Sequence, residues 1–127
     1  MVVLDNGDIL QGQPTAYYYN FIDTTSTHFC AQALNYIGYD AATIGNHDIE
    51  TGHVVYDLWV GECNFPMLGA NVVSTSTGRP YWKPYTIIER NGIRIGVLGM
   101  ITPSITKWLH NRSEERRVGK ECKHRCR

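Results

Sequence analysis

Apolar positions fall into short runs that switch between the two-residue period of strands and the 3.6-residue period of helices. Val2, Val3 and Leu4 make a brief apolar run that ends at Gly7-Asp8, and residues 2–4 are predicted as a strand. Residues 5–20 read as a long polar loop punctuated by Gly7, Gly12 and Pro14. Phe29, Cys30, Ala33, Leu34 and Ile37 then recur at helical spacing, which predicts a helix over 24–37 with that stripe against a sheet. Thr24, Thr25 or Ser26 suits its N-cap, and Gly38 suits a left-handed stop. Residues 41–44 and 66–70 are the next predicted strands, with a helix over 53–60 between them. A Ser/Thr/Gly turn region covers 73–79. Residues 85–89 and 93–98 flank Asn91-Gly92, a strong hairpin signal. Alternating strands and helices predict an α/β fold with an antiparallel hairpin attached. The sequence shows no repeat and no low-complexity tract. It has no apolar run of the length that spans a membrane.

Two predicted strands end in chemistry. Gly7-Asp8 follows the first, and Gly45-Asn46-His47-Asp48 follows Ala41-Ala42-Thr43-Ile44. Open α/β sheets bind ligands at the carboxyl ends of their strands. An aspartate, an asparagine amide oxygen and a histidine gathered there suit divalent metals and phosphate chemistry.

These residues, in this order, resemble the calcineurin-like metallophosphoesterases and within them the 5′-nucleotidase branch. Gly7, Asp8, Gly12 and Pro14 match that branch's Gly-Asp followed by Gly-x-Pro. Gly38-Tyr39-Asp40-Ala41 leads into Gly45 to Asp48 as the branch does, and Leu68-Gly69-Ala70-Asn71 resembles its strand ending in Ala-Asn. The likeness covers about residues 1–110. It implies a four-layer α/β/β/α sandwich, of which this chain is a truncated part. The family's opening Asp-x-His turn and its later metal histidines have no counterpart here, so residues 1–111 are expected to be an interior slice of a catalytic domain.

The resemblance implies a metal-dependent phosphoester hydrolase acting on nucleotides by two-metal water attack. It implies two divalent ions, drawn from manganese, zinc, magnesium, calcium or iron. Asp8 takes the bridging-ligand position; the competing use is a turn aspartate capping backbone amides. Asn46 takes the position of a neutral oxygen ligand, against the ordinary use of Asn in a tight turn. His47 takes the position of the histidine that meets the leaving oxygen without binding metal. Glu50, three residues on, and Asp48 are both candidates to orient it. A 2′,3′-cyclic-nucleotide phosphodiesterase or a nucleotide-sugar hydrolase fits the same scaffold, and a non-catalytic fragment is the alternative of a different class. The partner is a small-molecule phosphoester, with no nucleic acid and no membrane span. The resemblance places the parent in the periplasm or outside the cell.

The remaining candidates are weaker. Asp5 lacks a following x-His and reads as a loop residue before the site. His28 and His53 fit helix positions, Asn71 ends a strand on the motif side, and Tyr17-Tyr18-Tyr19 and Trp82 fit packing better than base stacking. Residues 112–122 translate a nucleotide string resembling a sequencing adapter, so 112–127 is expected to be a non-native tail. That expectation changes the charge. Of 12 basic and 12 acidic residues, 7 and 3 lie in 112–127, leaving 5 basic and 9 acidic. A body of net charge −4 offers no polyanion-binding surface, so metal ions would have to neutralise a phosphate. Cys122, His124 and Cys126 fall in the tail. Cys30 and Cys63 are too few for a disulfide framework or a zinc cluster, and read as small buried residues.

Overall fold

The computed structural model describes residues 1–74 and 76–105. His110, the 112–127 tail and its Cys122, His124 and Cys126 lie outside the described residues.

Strand β1 (Leu4–Asp5) leads through α1 (Pro14–Phe21) and α2 (Phe29–Ile37) to β2 (Ala41–Thr43). From β2 the chain passes through α3 (Asn46–Glu50) and α4 (His53–Glu62) to β3 (Met67–Leu68), then to β4 (Tyr85–Arg90) and β5 (Ile93–Leu98). The first three strands form a parallel sheet in the order β1-β2-β3. Leu4 lies opposite Ala41, and Ala42 opposite Met67. Successive strand residues point to opposite faces, and this divides the core in two. Ala42, Ile44 and Met67 face the helices with Leu10, Ala31, Leu34 and Trp59. Ala41 and Leu68 face the other way, against Ile88 and Val97 of the β4-β5 hairpin. The sheet is therefore an inner layer, with helices on one side and the hairpin on the other.

The hairpin forms as its turn requires. Asn91 and Gly92 have φ of 52° and 78°, the paired positive values of a type I′ turn. The chain joins hairpin to sheet by close backbone approach: Gly69 N donates to Lys83 O at 2.9 Å, and Ala70 N to Gly99 O at 2.7 Å. A Cβ at Gly99 would sit 2.7 Å from the carbonyl carbon of Leu68, so only glycine fits there.

Three sequence expectations need correction. First, part of the expected 5–20 loop is helix α1. Pro14 occupies the first turn, where its missing N–H costs nothing, and Ala16 and Asn20, one turn apart, are buried. Second, α2 begins at Phe29, not near 24. Asp23 Oδ1 accepts from Thr25 N at 3.3 Å and Ser26 N at 3.1 Å, holding a turn that competes with helix. His28 is the N-cap instead, its Nδ1 accepting from Cys30 N at 3.1 Å. Third, α2 buries Ala31 and Leu34, while Phe29 and Ile37 are exposed. Small Ala31 lets the helix approach its neighbours, and Phe29 instead stacks on Tyr19 at the α1 corner. The stop at Gly38 is as expected, with φ of 82°.

Candidate active site

The site is built where two strand-end loops cross. Gly7 follows β1 and Gly45 follows β2. A Cβ on Gly7 would lie 2.5 Å from Gly45 N and 2.9 Å from Thr43 O. A Cβ on Gly45 would overlap Asp8 Oδ1 and the Asp8 backbone nitrogen. Both motifs thus carry glycine because the two backbones touch. Gly7 and Asp8 also have positive φ, 86° and 68°. Aspartate is among the few side chains that tolerate that region.

Asp48 locks the crossing. It is fully buried. Its Oδ2 accepts from Asp8 N at 2.9 Å and from Gly45 N at 2.8 Å, and its Oδ1 accepts from Leu10 N at 2.8 Å. Three backbone N–H groups on one carboxylate are charge-assisted bonds, stronger than neutral ones. In return, Asp8 Oδ1 accepts from His47 N at 3.0 Å. Asp8 and His47 are therefore brought together at the start of α3, of which Asn46 is the first residue.

The structure separates the two acids proposed to orient His47. Glu50 Oε2 lies 3.1 Å from His47 Nδ1, one helical turn along. Asp48 points the opposite way and is occupied by backbone amides. His47 itself is exposed, with about half its side chain open to solvent.

The electrostatics suit a cation. Asp5 ends β1 as a strand residue and accepts from Gly7 N at 3.1 Å. Burial, then the charges of Asp48 and Asp8, push its carboxyl above the usual value against the Gly7 hydrogen bond. Asp8 spends one oxygen on an amide, and a carboxylate has about four lone-pair sites, so it retains capacity for a metal. Asp8 and Asn46 are hard oxygen donors, right in kind for a divalent ion. They are too few: such ions take four to eight ligands, depending on the metal. Among the described residues no group of three or more His, Cys, Asp or Glu forms a metal cluster. The donors fit a divalent ion in type.

The other candidates lie elsewhere. His53 starts α4 and packs on Tyr56 and Tyr81, with Asp57 Oδ2 at 3.3 Å. Asn71 Nδ2 donates to Ile101 O at 2.6 Å and its Oδ1 accepts from Ile101 N at 3.0 Å, which pins two loops. Trp82 packs edge-on against Tyr56 and Tyr81. Cys30 and Cys63 are free and half-buried, and burial pushes the Cys63 thiol up to about 12. His28 is a buried structural group whose Nε2 meets Asn20 Oδ1 at 2.9 Å. The clamp made by Asp48 was not legible in the sequence, where it shared a role with Glu50. An acid three residues into a helix, able to reach back to the N-cap amide, is the local signal that points to it.

No protein-family model matches the chain. Among curated proteins it is 34% identical over 122 residues to the trifunctional nucleotide phosphoesterase protein YfkN of Bacillus subtilis, a match covering 84% of this chain and 8% of that protein. It is 33% identical over 107 residues to a 5′-nucleotidase of Vibrio cholerae, covering 84% of this chain and 18% of that protein. Among solved structures it matches that of the calcineurin-like phosphoesterase YfkN from Bacillus subtilis, with a TM-score of 0.73 and 32% identity. That match covers 90% of this chain and 38% of the other. The chain thus spans less than a fifth of the curated relatives' length.

Proposed function

The chain belongs to the calcineurin-like phosphoesterases of the 5′-nucleotidase family, and we propose that it forms part of the catalytic domain of a longer enzyme that removes phosphate from nucleotides. The observation that carries this is the crossing of two strand-end loops at Gly7 and Gly45, which sets Asp8 against the backbone of His47. In this proposal residues 1–111 are the domain's own and 112–127 a non-native tail. The enzyme works outside the cytoplasm.

Asp8 and Asn46 would hold divalent metal, whose identity stays open among oxygen-preferring and borderline ions. When bound, a metal pair would supply a water of lowered pKa as the nucleophile. The chain's own residues do the rest. Glu50 holds Nδ1 of His47, which fixes the ring and leaves Nε2 directed away from it. A proton on Nε2 can then be given to the leaving oxygen as its charge develops. Asp48 keeps the two loops in register without touching substrate.

The test is phosphate release from AMP with added manganese, by a full-length enzyme carrying this chain. Turnover that needs the metal and falls on His47→Ala supports the proposal. Metal-independent turnover, or full activity in the Asp8→Asn variant, would overturn it. Running a 2′,3′-cyclic nucleotide beside AMP separates the phosphomonoester and phosphodiester activities that one scaffold can host.

A further inference from the structure

A single file of hydrogen bonds connects the start of α2 to the loop crossing. His28 caps α2 through Nδ1, which accepts the Cys30 N–H at 3.1 Å. A backbone N–H can only donate, so this nitrogen carries no proton, and in the neutral ring the proton sits on Nε2. Nε2–H donates to Asn20 Oδ1 at 2.9 Å. With its oxygen so placed, Asn20 turns Nδ2 to Leu10 O and donates to it at 2.7 Å. Leu10 N donates to Asp48 Oδ1 at 2.8 Å, and Asp48 Oδ2 holds Asp8 N at 2.9 Å. Every link has one sense. Turning the Asn20 amide over would set N–H against N–H and oxygen against oxygen. His28, Asn20, Leu10 and Asp48 are none of them more than 4% exposed, so each link sits where an unpaired polar group is costly.

Capping alone asks for less than a histidine. Asparagine is among the best N-caps, and its side chain ends where Nδ1 of the ring would be. What His28 adds is a donor on the far side of the ring, aimed at Asn20. A proton on Nδ1 would remove the acceptor and set N–H against the Cys30 N–H. Burial opposes that charge and lowers the His28 pKa. Glu62 of α4, whose Oε2 accepts from His28 N at 2.8 Å, acts the other way. Tyr19 of α1, its ring centroid 5.6 Å from that of His28, and Cys30 of α2 are the further titratable residues beside it among the described residues.

We propose that His28 is a positioning residue for the Asp8 loop: its Nε2–H orients Asn20, which fixes Leu10 and, through Leu10, the Asp48 clamp on Asp8. Its effect on turnover rests on the nucleotide-hydrolysis reading; its effect on the loop does not. The test uses two variants that divide the ring's two tasks. His28→Asn keeps an N-cap and loses the donor to Asn20. His28→Gln, one methylene longer, brings an amide nitrogen to the place of Nε2 and keeps the donor. In amide NMR spectra of the 127-residue chain at pH 7.5, the Leu10 and Asp8 N–H resonances should move in His28→Asn and stay near wild type in His28→Gln. In wild type the Leu10 resonance should titrate together with the His28 ring as pH falls below about 6.5, and both variants should lack that inflection. In a full-length enzyme His28→Asn should weaken manganese binding roughly 10-fold, the low end for outer-shell partners of metal ligands, and His28→Gln should restore it. A role confined to capping gives the opposite order, with His28→Asn equal to wild type and His28→Gln impaired, and that order would overturn the proposal. So would a wild-type Leu10 resonance that stays fixed while the His28 ring titrates, a measurement that needs no variant to fold. Coupled amide shifts without metal-dependent phosphate release would keep the positioning role and remove the hydrolase. Phosphate release with Leu10 and Asp8 amides indifferent to His28 would do the reverse.

Discussion

Asp48 accepts the backbone N–H of Asp8 at 2.9 Å, while Asp8 accepts that of His47, the residue just before Asp48, at 3.0 Å. Each aspartate thus anchors the other's loop. One of the two is fully buried and the other exposed. The buried partner sets the geometry and the exposed one is left to meet a ligand.

Removing the buried partner should therefore cost stability first. Asp48→Ala removes the acceptor of three backbone N–H groups, those of Asp8, Leu10 and Gly45. Hydrogen bonds to charged groups are each worth about 1.5–3 kcal/mol, so a loss of at least about 3 kcal/mol is expected. Asp48→Asn keeps one acceptor oxygen and should fall between. Urea unfolding midpoints measure both, and an Asp48→Ala midpoint equal to wild type would refute the clamp.

Glycine substitutions should divide by what their Cβ meets. Gly45→Ala drives a methyl into Asp8 and should cost about 1–3 kcal/mol, the usual scale of overpacking. Gly61, in α4, has open space around a Cβ. Gly61→Ala should stabilise by about 0.5–1 kcal/mol through helix propensity. Thermal melts of the pair give opposite shifts if the crossing is real.

His28 predicts a pH dependence of stability. Burial lowers its pKa from 6.5, with the charge of Glu62 opposing. The unfolded chain then binds more protons than the folded one below about pH 6.5. The His28 contribution is complete above that pH and is lost as pH falls through the folded value. Asp5, raised by burial, acts in the opposite sense at lower pH. The comparison is therefore between wild type and His28→Asn. Denaturation at pH 7.5 and 5.5 should show a smaller drop for the variant.

Activity should separate the site residues by role. In a full-length enzyme, Asp8→Asn should weaken manganese binding and abolish most turnover. His47→Ala should leave metal binding nearly intact and lower kcat by roughly 10²–10⁴, the scale of acid–base groups. Glu50→Gln should cost less and shift the pH profile, because it only positions the ring. Calorimetry with manganese and phosphate release on AMP read the two effects apart. The 127-residue chain alone should bind metal weakly and release no phosphate, and robust turnover by it would end the two-metal proposal.

Much of this protein was determined locally. Asn91-Gly92 requires positive φ at both positions, so the hairpin follows from two residues. Gly38 stops α2 for the same reason. Gly-Asp and Gly-Asn-His-Asp mark strand ends because only glycine permits two backbones to touch there. Tertiary structure decided what no local pattern weighs. Pro14 reads equally as a loop breaker or a helix start, and burial of Ala16 and Asn20 selects the helix. The face of α2 turned on Ala31, a small residue that hydrophobic spacing ranks below Phe29. Asp48 and Glu50 are two acids on one short helix, indistinguishable by composition. Only the crossing of β1 and β2 loops gives the first three backbone amides to satisfy and leaves the second beside His47.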